Sequence, residues 1–487
     1  MNDTTFLQHS LWAHSVFSGG WRAASTSAAV VEPATGAELA RVGLAVAHDV
    51  VGAARAAREA QPAWRDMAPR ERAAIFLRAA DILQAHFDEL ARYVTRETGG
   101  IGPKGEHELR EAIAFCRIAA SVPMQAQGQV LPSVSGRLSL AQRVPLGVVG
   151  VISPFNFPLI LTLRVVAPAL AMGNAVVIKP DPRTPVSGGY LLARLFELAG
   201  LPEGVLHVLP GGAEVGEALV VDPAVALISF TGSAAVGRRI GELAGRHLKK
   251  LSLELGGTNS LIVLDDADPD VAASNIAWGA WLHQGQICMA SNRVLVHASL
   301  MDAVAQRLVA KATHLPVGDG AAGQVALGPL IDRRQIERVH ASVQASVAGG
   351  AQLLAGGGHD GLFYQPTVLG GVGPGMPGYD EETFGPVVNL IPFDSDEQAV
   401  RIANDSRGGL AAAVISPSVG RAMRLARQLE AGMVHVNDQT VNDDAVNPFG
   451  GPGVAGNGAS HGGPADWEVF TTWKWFTVKE SATPYPF

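Results

Sequence analysis

Three short stretches carry side chains that could act together on a carbonyl group. The first is His283-Gln-Gly-Gln-Ile-Cys288-Met-Ala-Ser-Asn-Arg293, which holds one of only two cysteines in the 487 residues. A free cysteine usually behaves as a small buried hydrophobe. That reading stands for Cys116, which lies within an apolar helical stretch. Cys288 sits instead in a polar, glycine-containing loop. The second stretch, Leu253-Glu254-Leu255-Gly256-Gly257, sets a carboxylate between leucines. Apolar surroundings raise a carboxyl pKa, as a general base working near neutrality requires; the competing reading is a salt-bridged structural glutamate. The third, Ser153-Pro-Phe-Asn156-Phe-Pro158, offers an amide NH2 that can donate to an oxyanion, although asparagine is also a common helix cap. A thiol nucleophile, a donor for the alkoxide it creates and a separate base make up covalent acyl chemistry.

The elements that would position these groups alternate between strand and helix. Residues 147–153, 174–179, 204–209 and 225–230 read as buried strands, separated by helices at Pro158–Met172, Thr184–Ala199 and Ala213–Val221, with Ser233–Gly245 closing the run. Short apolar runs between such helices indicate a parallel sheet covered on both faces. Ligands bind at the carboxyl ends of strands in such sheets, which places Ser153–Asn156, Lys179–Asp181, Pro210–Gly211 and Thr231–Gly232 on one rim. Phe230-Thr231-Gly232-Ser233-Ala-Ala-Val-Gly237 is a strand-to-helix junction whose free amides suit a phosphate. It reads GxxxxG rather than GxGxxG and is weak alone. Lys179, ending its strand, can donate to ribose hydroxyls, although taken alone an ordinary surface lysine is the stronger reading. A second α/β segment starts near 257, with strands at Ser260–Leu264, Arg293–His297 and Val387–Phe393. Its helices fall at Val271–His283, Leu300–Ala312, Arg334–Val347, Glu397–Asn404 and Arg421–Leu429. Before the first sheet, short strands fill residues 1–45; helices follow from about 48, over Arg70–Thr95 and over Pro103–Ala120. Val122–Arg143 reads as a projecting hairpin and Trp467–Val478 as an aromatic strand.

Composition excludes several classes. A net charge of −8 and a pI near 6.0 argue against a nucleic-acid partner. No run approaches the ~18 apolar residues of a membrane span. Met1-Asn-Asp-Thr-Thr lacks the basic and apolar regions of a secretion signal, and two cysteines without a CxxC pair fit a reducing cytoplasm. The histidines include no HExxH or Cys/His ligand cluster, so no metal is expected.

SPFNFP, GNAVVIKP, FTGSxxVG, LELGG, GQxC and EETFGPV follow one another in this chain, with Cys288 lying 34 positions after Glu254. Over essentially its whole length the chain resembles the aldehyde dehydrogenase superfamily. The resemblance implies an α/β fold: a Rossmann-type cofactor domain (1–121 and 144–256), a second α/β catalytic domain (257–455), and a small β oligomerisation element (122–143 and 456–487). It implies that Cys288 attacks the aldehyde, that Asn156 and the Cys288 backbone N–H hold the oxyanion, and that Glu254 activates water against the thioester. The cofactor, NAD, would be met by Ser153, Pro154, Phe155, Lys179, Asp181, Arg183, Gly211, Phe230, Thr231, Gly232, Ser233, Gly237, Leu255, Glu382 and Phe384. Within that set Lys179 would contact the adenosine ribose, Ser233 the pyrophosphate, and Glu382 with Phe384 the nicotinamide ribose.

Two positions depart from the family pattern. Phe155 stands where many members carry tryptophan. Pro182 stands where many NAD-specific members carry a glutamate, which removes a repulsion against a 2′-phosphate and leaves Arg183 near enough to pair with one; some NADP tolerance is expected. The runs His435–Asp444, Asn447–Gly450 and Gly456–Trp467 resemble aromatic-aldehyde members, the benzaldehyde-oxidising ones above all. Phe157, Trp281, Ile287 and Phe449 are candidates for a ring pocket, each with core packing as its competing reading. The expected reaction is benzaldehyde to benzoate. Alternatives are a vanillin- or salicylaldehyde-type or aliphatic substrate, a CoA-acylating enzyme, and a catalytically silent nucleotide-binding protein. A soluble homodimer or homotetramer is expected, through the hairpin and tail.

Overall fold

The computed structural model describes residues 5–405 and 409–487; Met1–Thr4, on which the absence of a leader was read, lie outside the described residues. Two seven-stranded sheets and a three-stranded one organise the chain. In the first, five strands run parallel in the order Lys250–Leu255, Val225–Gly232, Val148–Ile152, Ala175–Lys179 and Leu206–Val208, and Ser15–Ser18 with Trp21–Ala23 adds an antiparallel edge. From Val148–Ile152 the chain first builds outward to one side and then returns to build on the other. The order therefore reverses beside that strand, and a crevice opens at the strand ends there.

The second sheet runs Gln352–Ala355, Thr367–Gly370, Val387–Phe393, Arg293–His297, Ser260–Val263, Gly409–Ile415 and Ala431–Val436, parallel except for the first. Its two faces bury separate apolar clusters, around Leu295 and Phe393 on one side and around Val294 and Trp281 on the other. Thr471–Val478 pairs with Leu138–Pro145 along its whole length, and Gly128–Val130 completes that small antiparallel sheet. Among the described residues no helix is long and apolar enough to cross a membrane.

Several expectations change. Lys250–Leu255, Gln352–Ala355, Thr367–Gly370 and Ala431–Val436 are strands that the sequence reading did not place, and the helix expected to reach His283 stops at Trp281 because His283 turns left-handed (φ 46°). Arg70–Thr95 is two helices, Pro69–Ala85 and Phe87–Thr98, because His86 leaves helical geometry (φ −112°, ψ 22°). The tail begins as a helix, Pro464–Phe470, with Pro464 in the first turn where its missing N–H costs nothing, and only then becomes a strand. Gly409–Ile415, rich in alanine, was not expected as a strand; it is buried throughout between two parallel neighbours, and that pairing overrides its propensity.

Candidate active site

Asn156 lies between the strand Val148–Ile152 and the helix Pro158–Ala171, whose first position is the proline. Its side chain is 3% exposed and donates one amide hydrogen to the Gln286 carbonyl at 2.9 Å, leaving the second hydrogen for another acceptor. The loop it touches is tightly held. His283 and Gln284 both adopt left-handed backbone (φ 46° and 56°), a conformation that non-glycine residues rarely take. Gln284 Nε2 donates to the carbonyls of Gly99 (2.7 Å) and Pro329 (2.8 Å), while Gln286 Oε1 accepts from Ile331 N–H (3.0 Å). Asn259 Nδ2 donates to the carbonyls of Cys288 (2.7 Å) and Ala290 (3.0 Å), and its Oδ1 accepts from Ala411 N–H. Thr440 Oγ1 donates to the Met289 carbonyl. The Gly99, Pro329 and Ile331 backbones thus hold the strained segment before Cys288, while Asn259 and Thr440 hold the carbonyls from Cys288 onward.

Glu254 occupies the end of the strand Lys250–Leu255, 4% exposed, with no hydrogen-bond partner for either carboxylate oxygen among the described residues. Cys288, Asn156 and Glu254 line one cavity of about 530 Å³. It runs across the crevice where the first sheet's strand order reverses. Ser153, Pro154, Phe155, Lys179, Asp181, Arg183, Phe230, Thr231, Gly232, Ser233, Leu255, Glu382 and Phe384 line it too. Gly211 and Gly237 lie behind the wall: a Cβ on Gly237 would meet Leu255 at 2.5 Å, and one on Gly211 would meet Val215 at 2.4 Å. They are packing glycines. Ser233 caps the helix Ala234–Arg246, and that helix start faces the cavity.

Residues 21–476 match the aldehyde dehydrogenase family. The chain belongs to that family. It is 53% identical over 485 residues to a vanillin dehydrogenase of an Amycolatopsis species, covering 99% of this chain and 100% of that one. It is 48% identical over 479 residues to a benzaldehyde dehydrogenase [NAD(+)] of Pseudomonas putida, covering 98% of each. Among solved structures, betaine aldehyde dehydrogenase of Staphylococcus aureus in complex with NAD+ superposes with a TM-score of 0.94 at 29% identity, over 98% of this chain and 97% of that one.

The enzyme's cavity is electrostatically unusual. Burial pushes the Glu254 carboxyl well above the usual range; Arg164 opposes this and Asp443 adds to it. Burial, with Glu382, Glu254 and Asp443 nearby, also pushes the Cys288 thiol upward. Glu382 is raised to about 7, mainly by burial, against Arg338. Lys179 is lowered by burial, opposed by Asp181 and Glu214.

Placement divides the remaining candidates. Phe157, Ile287 and Phe449 share one apolar cluster with Cys288 and Met289, although none of the three lines the cavity and Ile287 and Phe449 are each 2% exposed. Trp281 does not: it is 2% exposed in the core beneath the second sheet, where core packing accounts for it. Arg183 is held by Asp181 (2.8 Å from both Nε and Nη2) and Asp332 (3.2 Å), and lies 3.9 Å over the Phe155 ring. Two carboxylates already neutralise it, which weakens the expectation that it pairs with a 2′-phosphate.

Sequence reasoning missed Asn259, Arg338 and the ion pair of buried Arg164 with the more exposed Asp443. Arg338 lines the cavity and donates to the Glu382 carbonyl at 2.6 Å. The signal for Arg164 was present: it is the one charge in the otherwise apolar helix PLILTLRVVAPALA.

Proposed function

We propose that the enzyme oxidises an aromatic aldehyde to its carboxylic acid with NAD, through a covalent intermediate on Cys288. The observation that carries this is the meeting of Cys288, Asn156 and Glu254 at a cavity whose wall also holds a helix start, a lysine and a carboxylate. That donor set fits a dinucleotide: Lys179 for one ribose, the amides at the start of Ala234–Arg246 for the pyrophosphate, and Glu382 for the other ribose. Bound NAD supplies the hydride acceptor.

The chain's own groups do the rest. Cys288 Sγ, its proton taken by Glu254 or water, adds to the aldehyde carbon and forms a thiohemiacetal. The free Asn156 N–H and the Cys288 backbone N–H stabilise the alkoxide. Loss of hydride from that carbon leaves a thioester. Glu254, raised by burial, removes a proton from water as the water attacks the thioester, and the acid leaves as the thiol is restored. A base placed for water favours hydrolysis over acyl transfer to CoA.

Benzaldehyde is the substrate we infer, its ring bounded by Phe157, Ile287 and Phe449 beside the thiol. A ring-hydroxylated aldehyde of the vanillin kind is the second reading. It is favoured by Arg164, whose guanidinium lies 4.4 Å over Phe449 and whose buried Nη1 has no hydrogen-bond partner among the described residues. The Pseudomonas relative is named for NAD, and an E. coli relative of known structure (TM-score 0.93, 33% identity, covering 97% of this chain and 99% of that one) is described as NADP dependent. With Pro182 at the cavity wall, we infer NAD use with measurable NADP turnover. The sheets support the three-part domain division given above. The exposed Trp473 and Trp475 on the outer small-sheet strand support assembly into a dimer or tetramer, and the two free cysteines support a reducing, cytoplasmic setting.

An aldehyde panel with both cofactors tests this by absorbance of the reduced cofactor. Higher kcat/KM for benzaldehyde or vanillin than for short aliphatic aldehydes is expected. A preference for aliphatic aldehydes would overturn the ring pocket, and acyl-CoA as product would overturn hydrolysis. An NAD preference beyond ~10³-fold, about 4 kcal/mol, would overturn NADP tolerance.

A further inference from the structure

A buried ion pair lies beneath the catalytic loop, on a helix that contributes nothing to the cavity wall. Lys104 and Glu108 are 2% and 0% exposed, one turn apart on Gly102–Ser121. Removing both charges from water is expensive, and such pairs rarely stabilise a fold more than apolar residues of the same size. What the pair touches gives it another purpose. One Glu108 oxygen accepts from the N–H groups of Leu159 (3.0 Å) and Ile160 (3.1 Å), in the first turn of Pro158–Ala171. Its other oxygen pairs with Lys104 Nζ, which also donates to Thr98 Oγ1 at 3.0 Å. The same ammonium lies 4.7 Å over the Phe157 ring, and the His283 imidazole meets that ring edge-on at 5.2 Å. Asn156 is the residue immediately before this clamp, and its amide reaches across to Gln286.

We propose that the Lys104–Glu108 pair positions Asn156 as oxyanion donor, by locking the first turn of the helix behind it and the Phe157 ring beside it. This rests on the reading of Asn156 given above. The pair holds two pieces of chain in register: the helix start that carries the donor, and the strained His283–Gln286 segment that leads to the thiol. Neither residue touches substrate; both act through Asn156. A misplacement of about 1 Å in such a donor can cost ~10²-fold in rate.

The test needs a reaction that uses the oxyanion donor and one that does not. Attack of Cys288 on 4-nitrophenyl acetate creates an oxyanion at the ester carbonyl and expels 4-nitrophenolate, with no cofactor. Alkylation by iodoacetamide displaces iodide from the same sulfur and creates none. The variant Lys104→Met/Glu108→Gln removes both charges of the pair together, and the buried Glu97, which Lys104 also faces, keeps its hydrogen bonds from the Val186 and Ser187 N–H groups; Glu108→Leu is a harsher companion. In the double variant, dehydrogenase kcat and ester cleavage should fall together by about 10- to 100-fold. The alkylation rate and the KM for NAD should stay within about twofold of wild type. Ester cleavage within twofold of wild type would overturn the proposal. So would a parallel fall in alkylation, because the pair would then support the loop as a whole. Asn156→Ala separates the two readings. If it loses ester cleavage while the double variant does not, only the positioning role fails; if it too retains cleavage, the assignment of Asn156 fails.

Discussion

Glu382→Gln should make the cofactor-free enzyme more stable while making it a poorer enzyme, and the gain should depend on pH with a defined sign. The Glu382 carboxyl is raised from 4.5 to about 7, chiefly by burial, although Arg338 and the Gly257 N–H both favour its charge. Below about pH 4.5 the group is protonated in both the folded and the unfolded chain, and the substitution gains nothing. From there upward the unfolded chain ionises first, so wild type loses stability until the pH passes about 7, above which the deficit is complete. At ~1.4 kcal/mol per tenfold change in proton affinity, the ceiling is roughly 3 kcal/mol. Glu382 is only partly buried at the cavity, and solvent screening lowers the expected gain to about 1–3 kcal/mol. Urea unfolding of both proteins without cofactor, at about pH 5 and about pH 8.5, measures this as a difference between two midpoint differences. A gain equal at both pH values would refute an origin in buried charge, and a loss at the higher pH would reverse its sign. The same variant should raise the KM for NAD, because a carboxamide accepts a ribose hydroxyl less strongly than a carboxylate does.

Three further outcomes follow from the same geometry. Glu254→Gln should form product acid at a small fraction of the wild-type rate while still releasing one equivalent of reduced cofactor in a burst, with the thioester on Cys288 visible by intact mass; full turnover would exclude Glu254 as the base. Asn259→Ala should lower both stability and kcat, since a side chain 1% exposed that bonds three backbone groups cannot be removed without leaving them unpaired. About 2–4 kcal/mol is expected by urea unfolding. Cys116, fully buried, should resist iodoacetamide in the folded enzyme, so peptide mapping should find the label on Cys288, which the cavity makes accessible; labelling of Cys116 at a comparable rate would contradict that burial.

The residues proposed to carry the chemistry could be picked out in the sequence because they sit in short local motifs. The runs around Asn156, Glu254 and Cys288 each combine a reactive side chain with the proline or glycines its backbone needs. The alternation of apolar runs with helices was also enough to place Lys179 and Thr231–Gly232 on one rim, since strand ends in a parallel sheet share an edge. What remained hidden depends on distance along the chain. Nothing near Trp281 distinguishes a pocket wall from a core residue; only the packing of the second sheet decides it. Arg183 looked free for a phosphate because Asp332, 149 positions away, is brought to it by the fold. The alanine-rich strand Gly409–Ile415 exists through its two neighbours, and the tail's first turn is helical because Pro464 can start a helix but cannot extend a ladder. The clamp of Lys104 and Glu108 on the helix behind Asn156 joins segments some 50 residues apart. Local motifs thus determined which atoms could react, while tertiary packing, which alone brings distant backbone amides, rings and carboxylates within bonding range, decided how those atoms are held.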